Sequence, residues 1–579
     1  MLGKKISTLL LVFCIVLPLY IPVQVQSQQQ KIVLNTAVTV EDISSLNPLL
    51  GSSVPDWWIF LFLYDRLAIF APPDFHVQPW LATSWELDSS GTVWTLHLTH
   101  NATFHDGQPL TSEDVKFSID YIKQYQFGFW LPVVADITDV KTPDQYTVVI
   151  TTAKAVSYFT SFVMPRMPIL PKHIWEKIDK PEEFANDHPV GSGPYTFVEY
   201  KPAEYIRFAA YDGYWKGRPH VDEVIEHLAL PADTAIIQAK KGELDLIGLD
   251  TPYVKAAEED PNLKVVVSQN IYFDQILFNS QRAPLNSKEF RHALAYAIDK
   301  QDLINRVLLG YGDVVDTPGS VPAYAFWYNK DVTKYPYDPD KAKQMLDNLG
   351  FIDRNKDGFR EYPNGTTIQL ILTSESDYPV YVRLADLVVA QLAAIGLKAV
   401  NTPVEWTALS KALNSRDYDM ATWGYTVSPD PQQYLSRVAT IGGVAPYWSA
   451  GEMQNDTFNQ LFDEQKFAVD INKRQAIIFQ MEAIMAEELP FVPIWSGNII
   501  EAYRADRFTG FIPLAGISGI YNKLNWLSVK PVVAPPPSTS TTATTQVVEV
   551  IPTWIYAVVA LLVIVAVASL AVAAKRKRA

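Results

Sequence analysis

The stretch WGYTVSPDP (423–431) sets two flat aromatic side chains, Trp423 and Tyr425, beside a glycine and ahead of a turn of Pro, Ser and Asp. Aromatic faces suit sugar rings or peptide side chains and lose little conformational entropy on contact. The alternative is a rigid core turn. Trp406, Trp448 and Trp495, with the pair Trp57 and Trp58 after the LNP turn (46–48), are further candidates to line a pocket. Trp85 in ATSW and Trp215 in GYWKG read as core. A pocket for a free amine also needs a carboxylate, because a desolvated ammonium without a partner is costly. The polar residues of this turn are Ser428, which carries no charge, and Asp430.

A second stretch, DRNKDGFREYPN (353–364), spaces Asp353, Asn355 and Asp357 as a calcium loop spaces its first three ligands. Gly358 follows at the turn position and Glu361 at the ninth, but Asn364 stands where a bidentate Glu is needed. A structural turn is the preferred reading, with calcium as the alternative; no other cofactor is expected. Catalytic motifs are missing from the sequence: no GxSxG, HExxH, GxxxxGK[ST] or GxGxxG. The nine histidines are scattered, and His105 in FHDG reads as a turn residue. A carboxylate pair for glycoside cleavage stays open on the residues alone. A surface enzyme or adhesion protein is the alternative to the reading as a non-enzyme that the family resemblance given below implies.

The ends carry membrane signals. Lys4 and Lys5, an apolar run broken by Pro18 and Pro22, and a small residue at Ser27 give the order of a secretory signal, 1–27. The one cysteine, Cys14, lies inside that run, so the mature chain has no thiol chemistry. Residues 554–574 are uncharged, with Trp554 and Tyr556 at one edge and the basic tail KRKR (575–578) at the other. This predicts a span over 552–574 with residues 575–579 in the cytoplasm and the bulk outside. The Pro-, Ser- and Thr-rich segment 531–551 reads as a stalk. Signal and tail hold six of the 48 Lys and Arg, leaving 42 basic against 63 acidic groups between them, which argues against nucleic acid. Sequons at Asn101, Asn364 and Asn455 are compatible with an extracellular surface.

About five hundred residues between signal and stalk are too many for one core, so several lobes are expected. Strands and helices mix. KIVLNTAVTV (31–40) and VWTLHLTHNATF (93–104) alternate as strands do. Helices are marked by their caps: Thr111 with Glu113 and Asp114, and Asp338 with Pro339 at the start and Gly350 at the exit. Phe290, Leu294, Ala297 and Ile298 form one apolar helix face.

The stretch 81–121, with its HDG turn, resembles the extracytoplasmic solute-binding proteins of peptide-type ABC importers, family 5. LYDRL (63–67), GSGPYTFVEY (191–200), YDGYWKGRPHVDEV (211–224), QAKKGELDL (238–246), FRHALAYAIDK (290–300), YPYDPDKAKQMLDNLGF (335–351) and LPFVPIW (489–495) match in order. LTHNA (98–102) departs from the usual arginine-bearing pattern. The resemblance implies an α/β, three-lobed, type II periplasmic-binding-protein-like fold: two main lobes with a hinge and a small extra lobe, joined to a C-terminal transmembrane helix. Lobe I would comprise 31–72, 189–276 and 488–530, lobe II 73–188 and lobe III 277–487. It implies a ligand held in the cleft between lobes I and III, and an ABC permease with its ATPases as partners. In peptide-binding relatives an Asp just after the Gly-aromatic pair meets the ligand's α-ammonium. Here the aligned residue is Ser428, with Asp430 as the only nearby substitute, so oligosaccharide is favoured over oligopeptide. Nickel is disfavoured, for want of a histidine cluster.

Overall fold

The computed structural model describes residues 31–532, apart from 38–42, 52–53, 72–75, 321–325, 428, 440–452 and 517–518, and scattered positions between 558 and 568. The predicted signal (1–27), nearly all of the stalk (531–551), most of the span (552–574) and the tail (575–579) lie outside the described residues. Among the described residues no helix is long and apolar enough to cross a membrane. The chain divides into two units, Met1–Val532 and Val533–Ala579, and the lobes all belong to the first.

The alternating segments form strands as expected. Val33–Ala37 enters a seven-stranded sheet in the order Leu263–Ser268, Ile499–Arg504, Leu246–Gly248, Val33–Ala37, Glu223–His227, Tyr205–Ala210, Tyr195–Lys201. Val93–Leu98 lies inside a four-stranded antiparallel sheet with Ala82–Leu87, Thr147–Thr152 and Ile137–Asp144. A six-stranded sheet runs Gly312–Val314, Phe491–Gly497, Tyr272–Phe278, Met420–Thr426, Gln369–Glu375, Lys398–Val404. They lie largely in the stretches expected to form lobes I, II and III, in that order, and are named for them below. The caps also behave as read: Asp338 Oδ1 accepts from Lys341 N at 2.9 Å, and Asp114 accepts from Thr111 N at 2.8 Å.

Lobes I and II share one hydrophobic core, in which Leu34, Phe62 and Phe208 of lobe I join Leu96, Val148 and Phe159 of lobe II. Lobe III has its own apolar layers on the two faces of its sheet, one around Phe278, Leu372 and Trp495 and the other around Phe273, Tyr434 and Phe491. Within the one compact unit Met1–Val532 the apolar packing thus falls into separate clusters. The strands that run from the lobe I sheet to the lobe III sheet cross at residues other than the expected lobe bounds. Tyr272–Phe278 and Phe491–Gly497 pair with each other in the lobe III sheet, while Leu263–Ser268 pairs with Ile499–Arg504 in lobe I. Two adjacent antiparallel strands therefore cross together, at 269–271 and at Asn498, and not near 276 and 488. Asn270 Oδ1 accepts from Ile271 N (2.8 Å) and Tyr272 N (3.1 Å), which folds the crossing without a helix or long loop.

The family-like motifs prove to be packing devices. A Cβ on Gly191 would lie 1.8 Å from Leu63 O, and one on Gly193 2.1 Å from Phe62 O, so GSGPY must be bare where it crosses the end of helix Val54–Leu63. His105 Nδ1 accepts from Gly191 N (3.2 Å) while Nε2 donates to Gly193 O (3.1 Å). That fixes a neutral ring, and burial pushes its pKa down to about 4.

Glu501, on the strand after the hinge, is buried and accepts from Ile520 N at 2.6 Å. Burial lifts its pKa to about 8, against the opposing pull of backbone hydrogen bonds from Ile520 and Tyr521. The folded pKa exceeds the unfolded value of about 4.3, so the folded state holds the proton more tightly. Stability should then fall as pH rises from the unfolded value toward about 8. Glu501→Gln is expected to flatten this slope, gaining melting temperature over wild type at pH 8 but not at pH 4.

Candidate functional site

In lobe III the strands Gln369–Glu375, Lys398–Val404 and Met420–Thr426 run parallel. Their carboxyl ends emerge beside Tyr272, which pairs with Thr426, and beside Gly497 at the hinge. Helices Pro379–Ala394 and Trp406–Ser415 begin just after the first two of these strands. In open α/β sheets ligands bind outside such strand ends.

Two faces of the sheet meet at this edge. On one, Trp406, 42 % exposed, lies stacked on Trp423 with centroids 5.4 Å apart and 15° between the planes. Trp423 pairs across the strands with Gln275, and Tyr425 with Phe273. Tyr425 is half-buried and meets Tyr434 edge-on at 5.5 Å. Burial lifts its phenol pKa to about 12, with Arg437 pulling it down. These three rings form an aromatic shelf.

On the other face, Asp274 stands opposite Gly424 and is only 7 % exposed. Its Oδ2 accepts from the Trp495 indole N–H, and the Tyr381 hydroxyl is a second hydrogen-bonding neighbour of the carboxylate. The Tyr272 and Tyr381 hydroxyls lie 2.6 Å apart beside it. Burial lifts the carboxyl to about 7, although Trp495 and Tyr381 both pull it down. Gly424 must be glycine here, since a Cβ would fall 1.8 Å from Tyr272 Oη.

The other predicted residues are placed differently. Asp430 is fully buried, and Arg474 donates to its two oxygens at 2.6 and 2.7 Å. Ser161 of lobe II and Gln432 N complete its hydrogen bonds. It is a structural ion-pair residue and has no oxygen to spare for a ligand. Trp495 is also fully buried, its ring in the lobe III core. Trp57 packs on Phe129 and Trp130 at 4.8 and 5.2 Å, and Trp58 on Tyr521 at 5.2 Å. Trp130 and Tyr521 belong to the shared core of lobes I and II, while Phe129 is 48 % exposed; none of the three is part of the lobe III shelf. Ser428 and Trp448 lie outside the described residues.

Asp353, Asp357 and Glu361 bring carboxylate oxygens within 4.8 Å of one another. Each already accepts a backbone N–H: Asp353 from Gly358 (3.0 Å), Asp357 from Phe359 (2.9 Å) and Glu361 from Arg354 (2.6 Å). Asn355 Oδ1 accepts from Asp357 N at 2.8 Å. The donor set fits a calcium ion, yet the turn closes on its own hydrogen bonds.

The sequence profile of the bacterial extracellular solute-binding proteins, family 5, middle region, matches residues 76–444. The chain belongs to this family. Family 5 proteins are solute binders, and this one is not an enzyme.

Heme-binding protein A of Haemophilus influenzae is 27 % identical over 484 residues, covering 78 % of this chain and 84 % of that protein. The oligopeptide-binding protein AppA of Bacillus subtilis is 31 % identical over 357 residues, 60 % of this chain and 65 % of AppA. The structure of AppA with a nonapeptide superposes with a TM-score of 0.71 at 25 % identity, over 87 % of this chain and 100 % of AppA. The oligopeptide-binding protein of Thermotoga maritima, solved with mannohexaose, gives 0.70 at 23 % identity over 87 % and 99 %, a likeness of fold alone.

Proposed function

We propose that this chain is the ligand-capturing subunit of an ABC importer for oligopeptides, held at the outer face of the membrane by residues 552–574. The observation that carries the ligand class is a carboxylate, Asp274, buried at the same strand ends as the aromatic shelf but on the opposite face of the sheet. The expectation of oligosaccharide rested on the lack of an acid at Ser428. An acid two strand positions from the cleft edge removes that reason. The AppA relationship points the same way.

The test is thermal unfolding of the mature chain in detergent, with a lysine-free random pentapeptide pool in one arm and cello- and malto-oligosaccharides in the other. A ligand that binds only the folded state, at a hundred times its Kd, adds about 2.7 kcal/mol. The peptide pool should raise Tm and the sugars should not; the reverse outcome sinks the peptide reading. Trp406→Ala should weaken pool binding about tenfold, the equivalent of one lost aromatic stack. Since Trp406 is 42 % exposed, Tm without ligand should barely move. Alkaline carbonate should fail to strip the chain from membranes unless residues 552–574 are deleted.

A further inference from the structure

Three Asn-x-Thr triplets lie in the chain, at Asn101, Asn364 and Asn455, and the chain belongs to a family of extracellular proteins. Such a triplet is the acceptor for N-linked glycans where its asparagine stands at the surface. Triplets this short recur by chance, so the choice among them has to come from the fold.

YPNGT (362–366) is a hairpin tip. Tyr362 N donates to Thr366 O at 2.8 Å and Gly365 N to Tyr362 O at 2.9 Å, closing a turn with Pro363 and Asn364 at its centre. Gly365 follows in the left-handed region, at φ +85°, the conformation that ends a three-residue hairpin loop. Below the tip, Glu361 bridges Thr367 and is 1 % exposed, and the Tyr362 ring meets Phe351 edge-on at 5.8 Å. Pro363, Asn364, Gly365 and Thr366 are all exposed. A Cβ placed on Gly365 would meet nothing within 4 Å beyond its chain neighbours, so the space at the tip is open. Asn364 Oδ1 accepts from Thr366 N at 3.0 Å. Among the described residues, neither the Asn364 amide nitrogen nor the Thr366 hydroxyl has a hydrogen-bond partner.

The other two triplets are engaged by the fold. Asn101 Nδ2 donates to Trp215 O at 3.4 Å and Oδ1 accepts from Thr99 Oγ1 at 2.6 Å, while the Thr103 hydroxyl is hydrogen-bonded to Tyr211 Oη at 2.7 Å. Asn455 is half-buried and caps the helix Asp456–Phe467, its Oδ1 accepting from Phe458 N at 2.9 Å. Of the three, only Asn364 has both its amide nitrogen and its threonine hydroxyl exposed and unengaged. It also ends the run DRNKDGFREYPN (353–364), in the place where a calcium loop has its bidentate Glu. A side-chain amide replaces that carboxylate poorly, but it is the group that a glycan needs.

We propose that Asn364 carries an N-linked glycan. The sugar donor is an oligosaccharide on a lipid phosphate, transferred by a membrane enzyme at the outer face. Asn364 Nδ2 forms the new bond to the anomeric carbon, and the bond from that carbon to the phosphate oxygen breaks. The lipid phosphate leaves with the electron pair, and the amide gives up one proton to a base of the transferase. Nothing is oxidised or reduced. The turn survives the change, because Oδ1 still accepts from Thr366 N and Nδ2 had no bond to lose. The hairpin lies at the amino end of the strand Gln369–Glu375, whereas the aromatic shelf lies at the carboxyl ends of these strands. The glycan therefore clears the ligand site, and the assignment is independent of the ligand class.

The test is mass spectrometry of the full chain purified from membranes of the cells that make it. Trypsin releases Glu361–Arg383, a peptide in which Asn364 is the sole triplet asparagine. Most copies of this peptide should carry a multi-sugar adduct. Thr366→Ala should abolish the adduct and Thr366→Ser should keep it, because the transferase reads the hydroxyl. Both variants change an exposed side chain that makes no hydrogen bond, so both should fold. A wild-type peptide that is bare, or only deamidated, overturns the proposal, and so does an adduct that survives Thr366→Ala. Adducts on Asn101 or Asn455 with none on Asn364 overturn it as well, since exposure in the folded chain would then not select the site.

Discussion

Asp65→Ala should destabilise the protein by about 3–5 kcal/mol, the cost of stranding one partner of a buried ion pair. Asp65 is fully buried and pairs with Lys523, which is 6 % exposed. It also accepts from the indoles of Trp80 and Trp215, each at 2.8 Å, and from the Tyr214 hydroxyl at 3.2 Å. Three separate stretches of chain thus converge on one carboxylate inside the core shared by lobes I and II. Without it, the Lys523 ammonium keeps only Tyr64 O, at 2.7 Å. Burial already pushes Lys523 down, and Asp65 is the group that holds it up. In the alanine variant the lysine should lose its proton or admit water, and two indole N–H groups lose their acceptor. The effect should appear as a large drop in Tm at pH 7. Asp65→Leu with Lys523→Met should recover much of it, because an apolar pair carries no desolvation cost. A drop equal in single and double variants would show that the indole and phenol hydrogen bonds, not the ion pair, dominate.

That convergence shows where a sequence stops being readable. LYDRL and GYWKG stand out as motifs, and their glycines and aromatics could be assigned to packing, but nothing local says that Trp215 reaches an acid 150 positions away. Strands and helix caps were legible because they depend on neighbours within a few residues. Asp430 was misread for the opposite reason. Its turn looks like a cleft wall, and its true partner, Arg474, is 44 positions on. Trp495 was misread because an aromatic at a strand end is equally compatible with core and pocket. The hinge fell several residues from the expected boundaries because adjacent strands of both lobes are continuous in sequence character, and only pairing registers separate them. Asp274 did leave a signal. A lone acid in the apolar run IYFDQILF demands a partner or a purpose, and that demand could have been raised from the sequence alone.

Asp430→Ala is expected to cost a similar 3–5 kcal/mol, but with a different signature, because its ion pair lies inside lobe III while Ser161 of lobe II donates to the same carboxylate. Both Asp430 and Arg474 are wholly buried. Burial alone would raise the Asp430 carboxyl, but the Arg474 charge and hydrogen bonds from Arg474, Ser161 and Gln432 outweigh it and hold the pKa below the usual value. The contribution is thus present above the unfolded pKa of about 3.9 and is lost as pH falls through the lower folded value. Wild type should lose stability on acidification below pH 4 more steeply than Asp430→Asn does. Arg474 also donates to Gln465 Oε1 at 3.0 Å and lies over the Trp327 ring at 5.1 Å, so its removal unpacks lobe III as well. The lobe II side of the contact is lighter. Ser157 N and Oγ donate to Lys466 O and Gln465 O, each at 2.8 Å, where the helix Asp456–Phe467 runs out of internal donors. Ser161→Ala should therefore cost only about 1 kcal/mol, the net worth of one hydrogen bond. Losing Asp430 removes the acceptor of Ser161 and the anchor of Arg474 together, so lobes II and III should separate more readily. Small-angle X-ray scattering of the ligand-free protein should then give a larger radius of gyration for Asp430→Ala than for wild type. An unchanged radius with a lowered Tm would confine the ion pair's role to the interior of lobe III.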